Sequence, residues 1–156
     1  MMSVTSDETM VLCRARQTWC ALPLEGVLET MRPPMTTPLL GQPPFVTGVA
    51  LIRGDSTPVV DVGGLIGSDG PPAPTRLVTV GRPPRVVALA FEEVRGLVLL
   101  APQTLRTLPP LLAPLGPGAI TALGALDADL LLVLQPARAV PAAVWDVLDA
   151  ARSGAP

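Results

Sequence analysis

Histidine and tyrosine are absent from this chain of 156 residues, and so is lysine. Without histidine there is no imidazole to shuttle protons at neutral pH. The only thiols are Cys13 and Cys20, and two thiols without histidine make a poor zinc site. Both lie in apolar, strand-like runs, where free cysteine acts as a small core hydrophobe. Aromatics are limited to two Trp and two Phe, so the core must be aliphatic. All 11 basic residues are arginine, scattered rather than clustered, with a net charge of −2. No basic stripe with interleaved aromatics points to nucleic acid. Mean hydropathy is positive, at +0.49, yet no apolar run reaches the length of a membrane span. The richest, Ala119 to Leu134, is interrupted by Asp127 and Asp129. The acidic, polar start does not resemble a secretory leader, so the cytoplasm is the expected compartment.

Catalytic groups are equally scarce. The five serines, Ser3, Ser6, Ser56, Ser68 and Ser153, fall in tails, turns or linkers with no base beside them. Asp127 and Asp129 flank a turn, and Asp61 at a strand end is expected to cap the turn that follows. No glycine-rich phosphate loop joins a strand to a helix. The expectation is a non-enzyme with no catalytic residue, metal or cofactor.

What is abundant is aliphatic residues and proline. Hydrophobic residues make up 49% of the chain, and there are 20 prolines. Proline at that density breaks long helices and favours many short strands. A chain of this length can bury roughly 70% of its unfolded surface without a disulfide or metal. Residues 1–10 read as a flexible acidic tail. Val11–Arg14 and Trp19–Leu22 read as a hairpin about Arg16-Gln17-Thr18. Pro23 to Leu28 suggests about one helical turn, and Glu29 to Leu40 is extended and proline-rich. Phe45–Ile52 and Pro58–Val62 form a second hairpin about Gly54-Asp55-Ser56. Ser68 to Pro74 is the clearest linker. Leu77–Val80 and Val86–Leu89 form a third hairpin, and residues 101–118 read as a loop held by leucines. Ala119–Leu126 and Asp129–Leu134 form a last strand pair. Residues 140–152 read as an amphipathic helix carrying Val144, Trp145, Leu148 and Ala151, with Asp146 and Asp149 opposite.

The order of these elements repeats. Ala88-Leu89-Ala90-Phe91-Glu92-Glu93-Val94 resembles Ala21-Leu22-Pro23-Leu24-Glu25-Gly26-Val27, 67 residues earlier. A duplicated β-unit implies a mainly β fold of two compact five-stranded barrels packed side by side. The expected boundaries are one domain over 11–156: a first barrel unit at about 11–67, a linker at 68–74, a second unit at about 75–139, and the helix.

Several segments resemble the CheW family, the coupling proteins of bacterial chemosensory arrays, in order and spacing. They are Leu22-Pro23-Leu24-Glu25-Gly26-Val27-Leu28-Glu29, Phe45-Val46-Thr47-Gly48 with Arg53-Gly54 and Pro58-Val59-Val60-Asp61, Arg85 to Leu89 with Glu93-Val94, and Leu123-Gly124-Ala125-Leu126. The resemblance spans about residues 10–150. It implies two SH3-like five-stranded barrels without catalytic activity. It implies a cytoplasmic adaptor, recruited to receptor arrays, that joins a chemoreceptor's cytoplasmic tip to the regulatory domain of a CheA-like histidine kinase. Other CheW-like proteins are further implied partners; nucleic acid and direct membrane insertion are not. Carried over by position, the receptor-binding residues are Val27, Glu29, Gly48, Leu51, Arg53 and Gly54. The family usually has asparagine two residues before the arginine of Arg-Gly; here it is Leu51. That departure implies altered receptor engagement, or a divergent relative that binds one partner only or another signalling protein. The apolar composition keeps a weaker alternative, a small apolar-ligand carrier, in view. Read alone, Arg53 is a charge at a hairpin end with its head in water.

Overall fold

The computed structural model describes residues 7–107 and 118–153. Its strands carry long apolar runs because most are covered on both faces. The chain forms β1 (Glu8–Ala15), β2 (Thr18–Pro23), β3 (Val27–Met31), β4 (Val46–Ile52) and β5 (Asp55–Asp61). It continues through a short helix α1 (Val62–Ile66) into β6 (Arg76–Arg82), β7 (Arg85–Phe91), β8 (Glu93–Leu100) and β9 (Arg106–Thr107). It closes with β10 (Ile120–Leu126), β11 (Asp129–Leu134) and helix α2 (Ala142–Ser153). The fold is mainly β, as expected. The first strand starts at Glu8, inside the expected tail. The helical turn expected at 23–28 is instead a turn leading into β3, because the left-handed backbone of Gly26 (φ 92°) breaks any helix there. Most of the loop expected at 101–118 lies outside the described residues; its start holds a 3-10 turn and β9.

Two sheets result, of six strands in the order β8-β1-β2-β11-β10-β9 and five strands in the order β3-β6-β7-β5-β4. They do not follow the halves of the sequence. Each half lends its opening hairpin to the other half's sheet. β1 pairs with β8 and β2 runs parallel to β11. Reciprocally, β6 pairs with β3 and β7 runs parallel to β5. The sequence-contiguous units expected at 11–67 and 75–139 are therefore interleaved. The continuous closed ladders of two barrels are not seen either. The segment that follows β3 makes one bridge to β4, Thr37 to Val49, and β9 makes the matching contact with Leu123 on β10.

The duplication is exact enough to repeat a flaw. In both late hairpins the register slips at a threonine, Thr47 or Thr121. Its hydroxyl donates across the bulge to Val59 O (3.1 Å) or Val133 O (3.3 Å).

Side chains alternate between a shared core and two flanking ones. Val11, Cys13, Cys20 and Leu22 of one sheet meet Val78, Val80, Val87, Leu89 and Phe91 of the other in the central core. Met10, Leu12, Ala21 and Leu131 turn away into a second cluster, and Leu77, Ala88 and Ala90 into a third. Burying one such aliphatic chain is worth about 1.5–3 kcal/mol, so slipping any strand by one residue would exchange one filled core for another of different size. On α2, Val144 and Leu148 are buried in the central core, Trp145 packs at its edge, and Ala151 is exposed.

Candidate binding site

The turn between β4 and β5 consists of Arg53 and Gly54 alone, since Ile52 pairs with Asp55. The sequence suggested a turn one residue later. Both turn residues have positive φ, 51° and 81°, as a two-residue hairpin following the strands' right-handed twist requires. Gly54 supplies that angle without strain, while Arg53 adopts it as a non-glycine. The turn swings the Arg53 side chain toward the neighbouring edge strand. There Nε and Nη2 donate to both carboxylate oxygens of Glu29 at 2.6 and 2.9 Å, a planar bidentate pair.

Glu29 is in position because β3 slips register against β6 between Val27 and Glu29. Leu28 occupies the bulge and is 52% exposed. The hydrogen bond from Arg53, reinforced by its charge, holds the Glu29 carboxyl below its usual range; the same pair raises the pKa of Arg53 further. The arginine side chain remains 76% exposed. Leu51, two residues before it, is 71% exposed. The hairpin end thus presents a paired cation and anion with apolar Leu28 and Leu51 on the two contributing strands.

The other two expected site residues play internal roles. Val27 packs against the central core. The backbone of Gly48 accommodates the chain's own Thr37-Pro38, where any Cβ would run into the Thr37 carbonyl. Of the six residues, Glu29, Arg53 and Gly54 come together at the surface, Leu51 is exposed on the strand leading into the turn, Val27 packs on the core and Gly48 lies against Thr37-Pro38.

A buried charge cluster escaped sequence reading. Arg16, in the β1–β2 turn at φ 54°, lies 8% exposed. Its Nη1 and Nη2 each donate to a carboxylate oxygen of Asp61 at 2.6 Å, and Nε donates to Gly70 O at 2.9 Å. Glu92 accepts from the Arg16 backbone N–H (2.6 Å) and from Ala73 N–H (2.9 Å). The hydrogen bond to Asp61 keeps Arg16 firmly charged. Asp61 therefore does not cap the helix that follows, which has no side-chain cap at its start; its carboxylate is committed to Arg16. The cluster ties the β1–β2 turn, the end of β5, the β7–β8 corner and the linker together. The available signal was three charges, each ending an apolar strand.

Among the described residues, no group of three Cys, Asp or Glu side chains is arranged to hold a metal. No helix there is long and apolar enough to cross a membrane.

Residues 9–143 match the family model of the CheW-like domain. The chain belongs to the CheW-like family. The crystal structure of scaffolding protein TtCheW from Thermoanaerobacter tengcongensis superposes with a TM-score of 0.72. That match covers 86% of this chain and 88% of the other at 16% identity, a likeness of fold. No curated protein sequence matches the chain. Membership in the CheW-like family agrees with the resemblance read from the sequence.

Proposed function

We propose that this CheW-like protein is a non-catalytic adaptor. It couples the cytoplasmic tip of a chemoreceptor to the regulatory domain of a CheA-like histidine kinase, in the cytoplasm at receptor arrays. The observation that carries this reading is the exposed Arg53–Glu29 pair beside Leu28 and Leu51. The Arg53 side chain is 76% exposed, so the pair stands where a partner can reach it. In the same reading, each sheet is an SH3-like barrel whose ladder is bridged rather than continuous. The receptor-facing residues are Glu29, Leu51, Arg53 and Gly54, with Val27 and Gly48 supporting them.

Leu51 gives this adaptor a more apolar recognition surface than an asparagine would. A receptor helix that docks here would place an aliphatic residue against it. The test is titration of the protein with a receptor-tip fragment and, separately, with a kinase regulatory domain. Binding to neither overturns the adaptor reading; binding to the kinase domain alone assigns the protein to one partner. Arg53→Glu is expected to weaken receptor binding with the fold intact, and normal binding by that variant removes Arg53 from the site.

A further inference from the structure

The internal repeat gives each of the three charged residues of the buried Arg16 cluster a counterpart position in the other half. Glu92 corresponds to Glu25 by the repeated corner segment. Asp61 corresponds to Gln135, for the backbone N–H of each closes the same contact, to Phe45 O and Ala119 O respectively. Arg16 opens the β1–β2 turn after the last pair, Ala15–Thr18. The residue opening the β6–β7 turn after its last pair, Arg82–Arg85, is Pro83. Proline has neither a guanidinium nor a backbone N–H, so none of the donors that Arg16 brings to its own cluster has an equivalent.

Where the missing arginine would lie there is a cavity of about 700 Å3. Glu25 and Gln135 both line it, as do Arg82, Arg85 and Trp145. Its remaining wall is largely apolar and includes Met10, Val80 and Leu134. Arg85 is already engaged, stacked 4.8 Å from the Trp145 ring and bonded to Asp149 at 3.0 Å. The charges left around the cavity are Glu8 and Glu25 against Arg82, a balance that favours an incoming cation. Among the described residues neither Glu8 nor Glu25 has an ion-pair partner.

We propose that this cavity is a binding site for an arginine side chain presented by a partner protein, seated with its guanidinium at Glu25 and Gln135. The partner residue would complete in trans the arrangement that Arg16 completes in cis. Apolar neighbours of that arginine would cover the aliphatic wall. The proposal stands apart from the Arg53 surface and does not depend on the coupling reading.

The test uses the full chain with Trp19→Phe, so that Trp145 is the sole fluorophore. It is titrated with acetyl-Leu-Arg-Leu-amide and with the isosteric, neutral citrulline peptide. The arginine peptide is expected to change Trp145 emission saturably and to bind about ten-fold or more tightly than the citrulline peptide, the scale of one charge-assisted hydrogen bond. Glu25 is exposed, so Glu25→Gln should fold normally, and it is expected to erase that preference. Equal affinity for the two peptides, no saturable change with either, or a preference that survives Glu25→Gln would each overturn the assignment. The comparison of peptides on the Trp19→Phe chain is decisive even if the Glu25 variant fails to fold.

Discussion

Replacing Arg16 by methionine keeps most of its stem and removes its charge. Two carboxylates then lose their cation inside the protein, since the side chains of Asp61 and Glu92 are only 11% and 8% exposed. Two short hydrogen bonds to Asp61 and one to Gly70 O disappear with the guanidinium. Removing one member of a buried ion pair typically costs about 3–5 kcal/mol, because the partner charge stays buried and unpaired. A domain of this size has about 5–15 kcal/mol in total, so the loss is a large fraction. For a domain of about 150 residues each kcal/mol moves the midpoint by about 2–4 °C. Thermal melting followed by circular dichroism should therefore fall by about 10 °C at neutral pH. Urea titration should show a lower midpoint with an unchanged slope. Adding Asp61→Leu to Arg16→Met removes the orphaned charge, so the double variant should be more stable than the sum of the single losses predicts. A loss below about 1 kcal/mol for Arg16→Met, set against that expectation for a buried pair, or strict additivity in the cycle, would refute the view of this cluster as a desolvated and interdependent unit.

Other outcomes follow from the same geometry. Glu29→Gln should leave the melting temperature almost unchanged, because the pair it breaks is exposed, while altering receptor-tip affinity; a large drop in stability would contradict the surface assignment. Because Arg53 holds the Glu29 carboxyl below its usual range, the pair is fully present above the ordinary carboxylate pKa. It is lost only as pH falls through the depressed value, which NMR titration of the Glu29 side chain should show; a carboxyl titrating at or above its usual value would count against the pair. Gly48→Ala should destabilise by about 1–3 kcal/mol through backbone strain and a clash with Thr37 that no rotamer relieves, measurable by urea titration; a neutral result would mean the Thr37 segment can move away. Burial pushes the Cys13 thiol up to about 12 and Cys20 upward as well. The native protein should therefore react negligibly with an aromatic disulfide reagent at pH 8 and rapidly once unfolded; fast reaction in the native state would contradict the packing.

Much of the fold was legible because strand and turn chemistry is local. The hairpins around Gln17, Arg53-Gly54, Pro83-Pro84 and Asp127 fall close to where small, polar or proline residues interrupt aliphatic runs. The repeat was legible at Ala21–Val27 and Ala88–Val94 because the buried Ala21-Leu22 and Ala88-Leu89 are identical. Which hairpin joins which sheet was not legible. Val11–Leu22 and Val78–Leu89 are equally apolar, and nothing in composition distinguishes pairing within a half from exchange between halves. The site was legible in Arg53 and Glu29 only through resemblance, since 24 residues separate them and neither carries a motif of its own. Gly48 shows the opposite problem. Its lack of a side chain was apparent, but the neighbour that demands it, Thr37, could be found only from the path of the chain. The Arg16 cluster stayed hidden because isolated charges at strand ends ordinarily face water.

The reciprocal exchange of hairpins has a consequence for the chain's dissection. A fragment ending in the linker would contain β1 and β2 without β8 and β11, and β3 and β5 without β6 and β7. Each fragment would expose precisely those edges that its missing half covers. Neither piece should be an autonomous folding unit, but the two produced together should reassemble as complementary chains. A single ancestral copy of the unit would face the same problem, and two identical copies could solve it by swapping hairpins around a two-fold axis. The linker would then be the join that turned such a symmetric pair into one polypeptide and let its two ends diverge.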